Sequence, residues 1–339
     1  MNKNKMSKIG GILLCAGYGS RLAPLTDVIP KPAIPFCGVP MAHYARHSLE
    51  CTGVDALGMN VHHLPDRMIE AMNHGKWMNA TRDILISREE GEILGTGGGA
   101  ARVARLMPEC DRFIIYHGDV LCAADLSDAL KSHEKSGADV TLVVLPRPHQ
   151  VHENVRQSLG MIGVVDDEIV CIRDWWKNNQ PLDDYRQRCF SGIHIVERRI
   201  LDNIPDGRNV CLVTQIYREM LGRGDVIHAY EPECDVFFAD VGTPATYLDA
   251  QVRCLMQFNS HDNPGRTLEK LAEGRWLLRT QNDGIPSCIY GDSEIDSTVT
   301  IGPNVCIHAG AQIAQNTCLS HEMICDKGGI RLDGAWIID

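Results

Sequence analysis

The chain has 339 residues, of which 44% are hydrophobic and 23% charged, a composition typical of a folded globular protein. Its formal net charge of −11 argues against nucleic acid and anionic membranes as partners, because a surface of that sign repels both. No segment approaches the ~20 consecutive apolar residues of a membrane-spanning helix. The length predicts one large domain and a smaller one, and an anionic ligand would have to be met by local positive charge.

The beginning of the chain superficially resembles a signal peptide, because eight mostly polar and basic residues precede an apolar run. That run, Ile9 to Leu14, is close to the minimum length and passes directly into a glycine-rich loop. We interpret it as a buried strand and residues 1–8 as a flexible tail. The 14 cysteines include no Cys-x-x-Cys pair, so neither a zinc ribbon nor a thioredoxin-type site is indicated. Scattered reduced cysteines predict a cytoplasmic protein.

Residues 9–258 form the first predicted domain. Up to about His149, apolar strand-like runs alternate with helix-like segments, which predicts an α/β fold with a Rossmann-like mixed sheet. A predicted helix follows Pro40 and ends at Gly53, and another opens at Pro244 with Thr243 as its N-cap. The strand-like runs of this first part are "IGGILL", "DALGMNV", "RDILIS", "DRFIIYHGD" and "ADVTLVVLP".

A six-residue repeat occupies the end of the chain. We place a linker at 259–286 and a repeat domain at 287–339, because an aliphatic residue returns every six positions: Ile289, Ile295, Ile301, Ile307, Ile313 and Leu319. This period predicts a short left-handed parallel β-helix built from hexapeptides. Two coils bury little surface alone. We therefore expect them to pack on the main domain or on a second copy, which makes a homo-oligomer possible.

The loop after the first strand carries two glycines and two cations. Gly17 and Gly19 permit close approach of backbone N–H groups to oxygen anions. Arg21 can bind phosphate oxygens with two N–H groups, and Lys31 is held between Pro30 and Pro32. The third glycine of a dinucleotide-binding loop is absent. The stretch predicts a phosphate-binding site.

At this point the chain resembles a known family. "LCAGYGSRLAPLT" followed by "IPKPAIPFCGVPM" is similar to the N-terminal signature of the sugar-phosphate nucleotidyltransferases, also called nucleoside-diphosphate-sugar pyrophosphorylases. "EILGTGGGAARVA" resembles their base-recognition loop, "IIYHGDV" and "FFADVGTPATYLDA" their two metal carboxylates, and "SGIHIV" a strand beside the sugar pocket. The hexapeptide tail is also similar to that of many members. "LGTGGG" resembles the loop of mannose-1-phosphate and heptose-1-phosphate guanylyltransferases.

The resemblance implies a reaction in which a sugar 1-phosphate oxygen attacks the α-phosphorus of a nucleoside triphosphate and pyrophosphate leaves. It implies that Arg21 and Lys31 are catalytic, since they would neutralise the triphosphate. It also implies that Asp119 and Asp240 hold Mg²⁺, a cation that prefers carboxylates, phosphates and water. GTP and mannose 1-phosphate are the first expectation for the substrates. The implied nucleotide contacts are Leu14, Ala16, Gly17, Gly19, Gly95, Thr96 and Gly97.

The resemblance is less complete for the residues that bind the sugar phosphate. Gly160 in "LGMIGVV" and Gly192 in "SGIHIV" fall where family members line the sugar pocket with backbone. The family also tends to carry Glu-Lys-Pro, whose lysine contacts the sugar phosphate. This region reads "IRDWWKNNQ", without the Glu and the Pro. Lys177 is therefore the candidate for that contact, with Arg173 as the alternative.

Other interpretations stay open. The enzyme could use UTP with a hexose or amino-sugar 1-phosphate, or the chain could be a regulator that binds sugar nucleotides without turnover. A hexapeptide acyltransferase acting at His308 is a third possibility, although two coils are short for its acyl-donor groove. His43 and His47 are spaced like metal ligands on a helix, but without a third partner we expect them on a solvated face.

Overall fold

The computed structural model describes residues 7–73, 83–146, 161–233 and 236–256, followed by short ranges at 276–280, 286–290, 295–302, 305–308, 311–320, 322–325, 328–331 and 336–337. Most of the predicted tail at 1–8 and residues 257–275 of the boundary and linker region lie outside these ranges, as does Gly160. In the described part, no helix has the length and apolarity to cross a membrane.

The helices are α1 Leu25–Val28, α2 Met41–Cys51, α3 Pro65–Asn73, α4 Gly95–Arg105, α5 Leu126–Ser136, α6 Arg198–Asp202, α7 Arg218–Arg223 and α8 Pro244–Met256. The strands up to α8 are β1 Ile9–Leu14, β2 Pro35–Phe36, β3 Val39–Pro40, β4 Ala56–Val61, β5 Ile84–Arg88, β6 Arg112–His117, β7 Val120–Cys122, β8 Val140–Pro146, β9 Met161–Val165, β10 Glu168–Ile172, β11 Trp175–Trp176, β12 Arg186–Glu197, β13 Ile227–Tyr230 and β14 Phe238–Asp240. After α8 come β15 Trp276–Thr280, β16 Pro286–Tyr290, β17 Thr300–Ile301, β18 Val305–Ile307, β19 Cys318–Leu319, β20 Glu322–Cys325, β21 Gly328–Arg331 and β22 Trp336–Ile337. Short helical turns occur at Ser20–Leu22, Lys31–Ala33 and Lys177–Asn179, and a π-helical turn at Leu212–Tyr217.

A large mixed sheet forms the centre of the protein. Its strand order is β11-β10-β13-β8-β12-β6-β1-β4-β5, and β9 pairs with both β10 and β12. β1 runs parallel to β4 and β6, whereas β12 is antiparallel to β6 and β8. Leu14, Asn60 and His117 lie level with one another where β1, β4 and β6 end. That edge is where an open α/β sheet places its ligand.

The predicted elements of the first part are confirmed. The five apolar runs form β1, β4, β5, β6 and β8. The interior residues of β1, β4, β6 and β8 are buried, whereas edge strand β5 buries only Ser87. α2 ends before Gly53, whose φ of 79° belongs to the left-handed region that favours glycine. α8 begins at Pro244, and the Thr243 hydroxyl accepts a hydrogen bond from the Thr246 N–H at 3.3 Å. Local sequence signals therefore set these boundaries.

The strands beyond residue 276 show a regular offset. β16 pairs in parallel with β18 through Ile289 and Ile307, and β17 with β19 through Ile301 and Leu319. Each pair joins residues 18 apart, which is the length of three hexapeptides and of one coil of such a β-helix. β15 falls within the predicted linker and pairs antiparallel to β16. The left-handed coil and the domain boundaries stay predictions.

The C-terminal strands share a core with the first domain. Cys306 and Met323 are fully buried and belong to the same apolar cluster as Phe36, Tyr247 and Leu248. The cluster therefore joins β18 and β20 to α8 and to the loop after β1. This agrees with the expectation that so short a repeat packs on the main domain.

The expectation of a solvated His43 was wrong. Its side chain is 1% exposed, and Nε2 lies 3.0 Å from the Ala71 carbonyl oxygen. The reason is that α3 covers this side of α2, which the spacing of residues within α2 does not reveal. Burial lowers the pKa of His43 to about 4, against a small opposing effect of the Ala71 carbonyl.

The buried histidine predicts an acid-sensitive stability. An unfolded chain protonates a histidine near pH 6.5, whereas folded His43 stays neutral down to about pH 4. The unfolded state binds more protons between these values, so the free energy of unfolding falls as the pH is lowered through this window. At pH 5 the loss amounts to about 2 kcal/mol. Urea denaturation at pH 7.5 and pH 5 measures the free energy of unfolding at each pH. Between these values His43→Gln should lose about 2 kcal/mol less of it than the wild type. An equal loss in both proteins would contradict the role of His43.

Candidate active site

Lys31 lies between two carboxylates. Its Nζ is 2.6 Å from Oδ2 of Asp119 and 3.7 Å from Oδ1 of Asp240, and its side chain is 5% exposed. The two aspartates are partly open to solvent. Burying an ammonium group is unfavourable unless charged partners surround it. The three residues therefore form one charged cluster with an open side.

Pairing between two distant strands brings the aspartates together. Asp119 occupies the turn between β6 and β7, and Gly118 N–H donates to the Leu14 carbonyl at 3.0 Å. β14 pairs antiparallel with β7 so that Asp240 faces Val120, the residue after Asp119. Both carboxylates are thus held at strand ends and not on long loops. Two hard oxygen donors converging on one point suit Mg²⁺, which takes its other ligands from phosphates and water.

The charge of Lys31 keeps Asp119 ionised. Burial alone would raise the pKa of this carboxyl, but the Lys31 and His117 charges and the Lys31 hydrogen bond hold it below its usual range. The described residues contain no group of three or more metal-binding side chains of the His, Cys, Asp or Glu type. An ion bound here would therefore need oxygen atoms from a ligand.

Arg21 reaches the same cluster from the glycine loop. A Cβ atom placed on Gly242 would lie 2.8 to 2.9 Å from the Nη1, Cζ and Nη2 atoms of Arg21. The guanidinium group therefore packs on the backbone of Gly242, two residues after Asp240. The "VGTP" segment supplies the bare backbone that this contact requires.

The two glycines of the loop, Gly17 and Gly19, have different surroundings. Gly19 has φ of 64°, and a Cβ there would lie 2.8 Å from Cβ of Lys31. Gly19 therefore makes the room in which the Lys31 side chain turns toward Asp119. A Cβ on Gly17 would meet no atom within 4 Å, so this glycine leaves its backbone open to the cavity.

A buried polar chain that the sequence-based interpretation missed supports the loop. Cys15 N–H donates to Oδ1 of Asn60 at 2.8 Å, and Nδ2 of Asn60 donates to Oε1 of Glu89 at 2.7 Å. Oε2 of Glu89 accepts from Leu94 N–H at 2.8 Å. The chain ties the glycine loop to the segment before α4. A polar residue inside the apolar run "DALGMNV" was the available signal.

These parts enclose one cavity of about 200 Å³ at the sheet edge. Eight predicted site residues line it: Leu14, Ala16, Gly17, Gly19, Lys31, Gly95, Thr96 and Asp119. The lining also includes four residues that were not predicted: Pro32, Asn60, Ile93 and His117. Asp240, a member of the charged cluster, and Arg21 beside it do not line the cavity itself.

Gly97 was predicted to contact the nucleotide but does not line the cavity. Its N–H donates to the Val210 carbonyl at 2.7 Å, and Gly98 N–H approaches the same oxygen at 3.2 Å. The glycines after Thr96 therefore admit another stretch of the chain. Thr96 remains at the cavity wall, where its Oγ1 accepts from Leu212 N–H at 2.9 Å.

This packing makes Gly98 sensitive to substitution. A Cβ there would lie 2.2 Å from the Arg208 carbonyl oxygen, so Gly98→Ala should destabilise the protein by about 2–3 kcal/mol. The matched control is Gly222→Ala, on an exposed position of α7 where a Cβ meets nothing within 4 Å. That change should be neutral or stabilising by about 0.5–1 kcal/mol. Thermal denaturation of both variants measures the difference, and equal melting temperatures would refute the packing argument.

The predicted sugar-side residues are separated in the structure. Gly192 has φ of 83° at a register shift of β12, and a Cβ there would lie 3.5 Å from His117. Gly192 is therefore a bulge beside the cavity wall. Lys177 forms an ion pair with Glu168 and does not line this cavity. The Arg173 guanidinium packs over the Trp175 ring at 5.8 Å, and Gly160 lies outside the described residues.

Comparison with known proteins defines the family. Residues 10–257 match the family described as nucleotidyl transferase, and the chain belongs to that family. It is 27% identical over 242 residues to mannose-1-phosphate guanylyltransferase of Mycobacterium tuberculosis, covering 71% of this chain and 63% of that protein. It is 26% identical over 246 residues to UTP–glucose-1-phosphate uridylyltransferase of Synechocystis, covering 70% and 61% respectively. Mannose-1-phosphate guanyltransferase of Schizosaccharomyces pombe is 28% identical over 295 residues, covering 86% and 73%.

The match thus spans about three fifths of the length of the Mycobacterium and Synechocystis relatives. Among solved structures, HddC from Yersinia pseudotuberculosis superposes with a TM-score of 0.57 at 21% identity, over 72% of this chain and 98% of that one. The same protein complexed with GMP-PN has a TM-score of 0.56 at 20% identity, with the same coverage. These similarities identify the mixed α/β nucleotidyltransferase fold.

Proposed function

We propose that the protein transfers a nucleoside monophosphate from a nucleoside triphosphate to a sugar 1-phosphate. The sugar 1-phosphate oxygen forms a bond to the α-phosphorus, and the bond from that phosphorus to the β-phosphate oxygen breaks. The products are a nucleoside-diphosphate sugar and pyrophosphate. The observation that carries this proposal is the placement of Lys31 between Asp119 and Asp240 at the wall of the glycine-loop cavity.

The charged cluster suits the meeting of two polyanions. Lys31 and Arg21 would neutralise triphosphate oxygens and the charge that develops at phosphorus in the transition state. Lys31 is held in place by Asp119 and by the space that Gly19 leaves, so little reorganisation is needed when substrates bind. The backbone at Gly17 would receive a phosphate oxygen, since nothing in the protein covers it.

The converging carboxylates of Asp119 and Asp240 fit Mg²⁺, and we propose that they hold it. The chemistry that such an ion would supply is neutralisation of phosphate charge.

We propose GTP and mannose 1-phosphate as the first substrate pair. Two of the relatives described above are named for that pair, and HddC was solved with GMP-PN. A relative of similar identity is named for UTP and glucose 1-phosphate, so uridylyl transfer is the second candidate. Thr96 and Gly95 line the cavity, and we propose that they bind the base.

Substrate identity can be tested by measuring pyrophosphate release for four NTPs crossed with mannose, glucose, glucosamine and heptose 1-phosphates, with Mg²⁺. The highest kcat/KM should belong to GTP with mannose 1-phosphate. Activity with UTP alone would replace the first pair by the second. Nucleotide binding without turnover for any pair would instead favour the regulator that keeps this fold, and activity that requires acetyl-CoA would favour an acyltransferase.

Three further expectations belong to the same proposal. The 18-residue pairing offset supports a left-handed β-helix after residue 287. Its small size supports a homo-oligomer formed through it. The cysteines whose side chains the structure describes form no disulfide with one another, which suits a reducing compartment such as the cytoplasm.

A further inference from the structure

His117 connects the cavity wall to a buried pair of polar rings. It is the last residue of β6 and lines the cavity beside Asp119. Its Nε2 lies 3.4 Å from Nε2 of His194, and Nδ1 of His194 lies 2.8 Å from the Tyr217 hydroxyl. His194 and Tyr217 are both fully buried. A buried chain of three polar rings is costly unless each hydrogen finds an acceptor.

Hydrogen-bond satisfaction fixes the direction of this chain. Among the described residues the Tyr217 hydroxyl meets no other hydrogen-bond partner, so its hydrogen must go to Nδ1 of His194. His194 then carries its hydrogen on Nε2 and donates it to Nε2 of His117. His117 in turn carries its hydrogen on Nδ1. The reverse direction would leave the buried Tyr217 hydrogen without an acceptor, which is the less favourable state.

The N–H group that results is available to a ligand. Nδ1 of His117 hydrogen-bonds to no described protein group, and it is not among the buried polar atoms that lack a partner. It is therefore reached by solvent at the cavity wall. Burial lowers the pKa of His194 well below its ordinary value, which agrees with a neutral ring at the centre of the chain.

The position of His117 identifies the substrate that it meets. Along the sheet edge the order is β4, β1, β6 and β12. Asn60 of β4 and the glycine loop after β1 lie on one side of His117. Gly192 of β12 lies on the other side, in contact with the His117 side chain. In the proposed reaction the nucleotide would bind on the glycine-loop side, which leaves the side of β12 for the second substrate.

We propose that His117 donates its Nδ1–H to the sugar 1-phosphate, and that His194 and Tyr217 are positioning residues that fix which ring nitrogen carries the hydrogen. This assignment rests on the nucleotidyl transfer proposed above. A sugar hydroxyl or phosphate oxygen is the acceptor. The alternative is that the three rings only fill the core between β6, β12 and the Leu212–Tyr217 turn.

Nitrogen NMR of histidine-labelled protein at pH 7.5 tests the tautomers directly, with assignments from His117→Asn and His194→Gln. His117 should carry its hydrogen on Nδ1 and His194 on Nε2. Addition of mannose 1-phosphate or glucose 1-phosphate should shift the His117 Nδ1–H signal. A hydrogen on Nε2 of His117, or a signal that neither sugar phosphate moves, would overturn the proposal without any reference to turnover.

Kinetics then separate positioning from core filling. His117→Leu should raise the KM for the sugar 1-phosphate by about tenfold, with the KM for the NTP changed less than about twofold. His117→Asn restores a donor that does not depend on the buried rings and should recover most of that loss. In a protein that keeps His117, Tyr217→Phe should raise the KM for the sugar 1-phosphate by about threefold. In the His117→Asn background the same substitution should have no further effect.

An equal effect of Tyr217→Phe in both backgrounds would mean that the ring only fills the core, and thermal denaturation of each variant reports folding. An unchanged sugar 1-phosphate KM in His117→Leu defeats this proposal alone. A wild-type protein that releases no pyrophosphate with any substrate pair defeats the proposed reaction, and the NMR experiment still decides the tautomer.

Discussion

Asp119→Asn should lower the rate of pyrophosphate release by about 10³-fold, while the NTP binds within about threefold of the wild type. The substitution keeps the side-chain volume and an oxygen that can accept from Lys31. It removes the negative charge that a divalent cation needs. The two expectations differ because a carboxylate that holds the proposed Mg²⁺ would act mainly on charge that develops in the transition state. Steady-state kinetics and a nucleotide titration measure the two quantities.

The matched control is Asp128→Asn. Asp128 is an exposed aspartate on α5 whose partner is Lys131, so the same chemical change there should leave the rate within twofold. If raising the Mg²⁺ concentration restored the Asp119→Asn rate fully, the loss would be one of metal affinity. A rate near that of the wild type at ordinary Mg²⁺ concentration would contradict the site.

Lys31→Gln is expected to lose at least as much activity, again about 10³-fold. Lys31 is the cation between the two carboxylates, and its removal leaves Asp119 and Asp240 to repel each other. The pKa of Asp119 should then rise, because burial is no longer opposed by the lysine charge. Because the variant lacks the lysine charge, it should also bind the anionic NTP more weakly, whereas Asp119→Asn should not.

Arginine at position 31 is not expected to restore the activity that Lys31 supports. The Lys31 side chain is packed against Gly19, and a guanidinium group is larger and planar. Lys31→Arg should remain at least 10²-fold below the wild type, whereas Lys131→Gln, at an exposed position, should not change the rate. Substantial activity in Lys31→Gln, measured on protein whose melting temperature is unchanged, would remove Lys31 from the mechanism.

Short-range pattern predicted most of the fold and part of the site. Apolar runs that end in Gly-Asp or Ala-Asp identified the strand ends near Asp119 and Asp240. Lys31 was identified as a candidate because the flanking prolines restrict its backbone. Such signals work because strand burial and turn chemistry are local properties. The sequence could not show that β14 pairs with β7, which is what brings the two aspartates to the same lysine.

The missed residues share one physical cause. A hydrogen bond links Asn60 of β4 to Glu89, the residue after β5, and His117 meets His194 across 77 residues of sequence. No spacing rule within one element reports such contacts. Glycines were ambiguous for a related reason, since an absent side chain can admit a ligand or another chain segment, and at Gly97 it admits Val210.

Lys177 illustrates the limit of a partial motif. Its candidacy came from a Glu-Lys-Pro pattern whose Glu and Pro are missing, and the structure pairs it with Glu168 at the β11 edge of the sheet. Lys177→Gln is therefore expected to lower the rate of pyrophosphate release much less than changes at the charged cluster.

Cys306 and Met323 have a practical consequence for anyone who shortens this chain. The stretch that matches the family ends at residue 257, yet these two later side chains complete the interior around Phe36 and Tyr247. A fragment that ends at residue 257 would retain the whole cavity but expose apolar side chains of this cluster to water. If such a fragment precipitated, the cause would be its incomplete hydrophobic core, and the result would say nothing about catalytic activity.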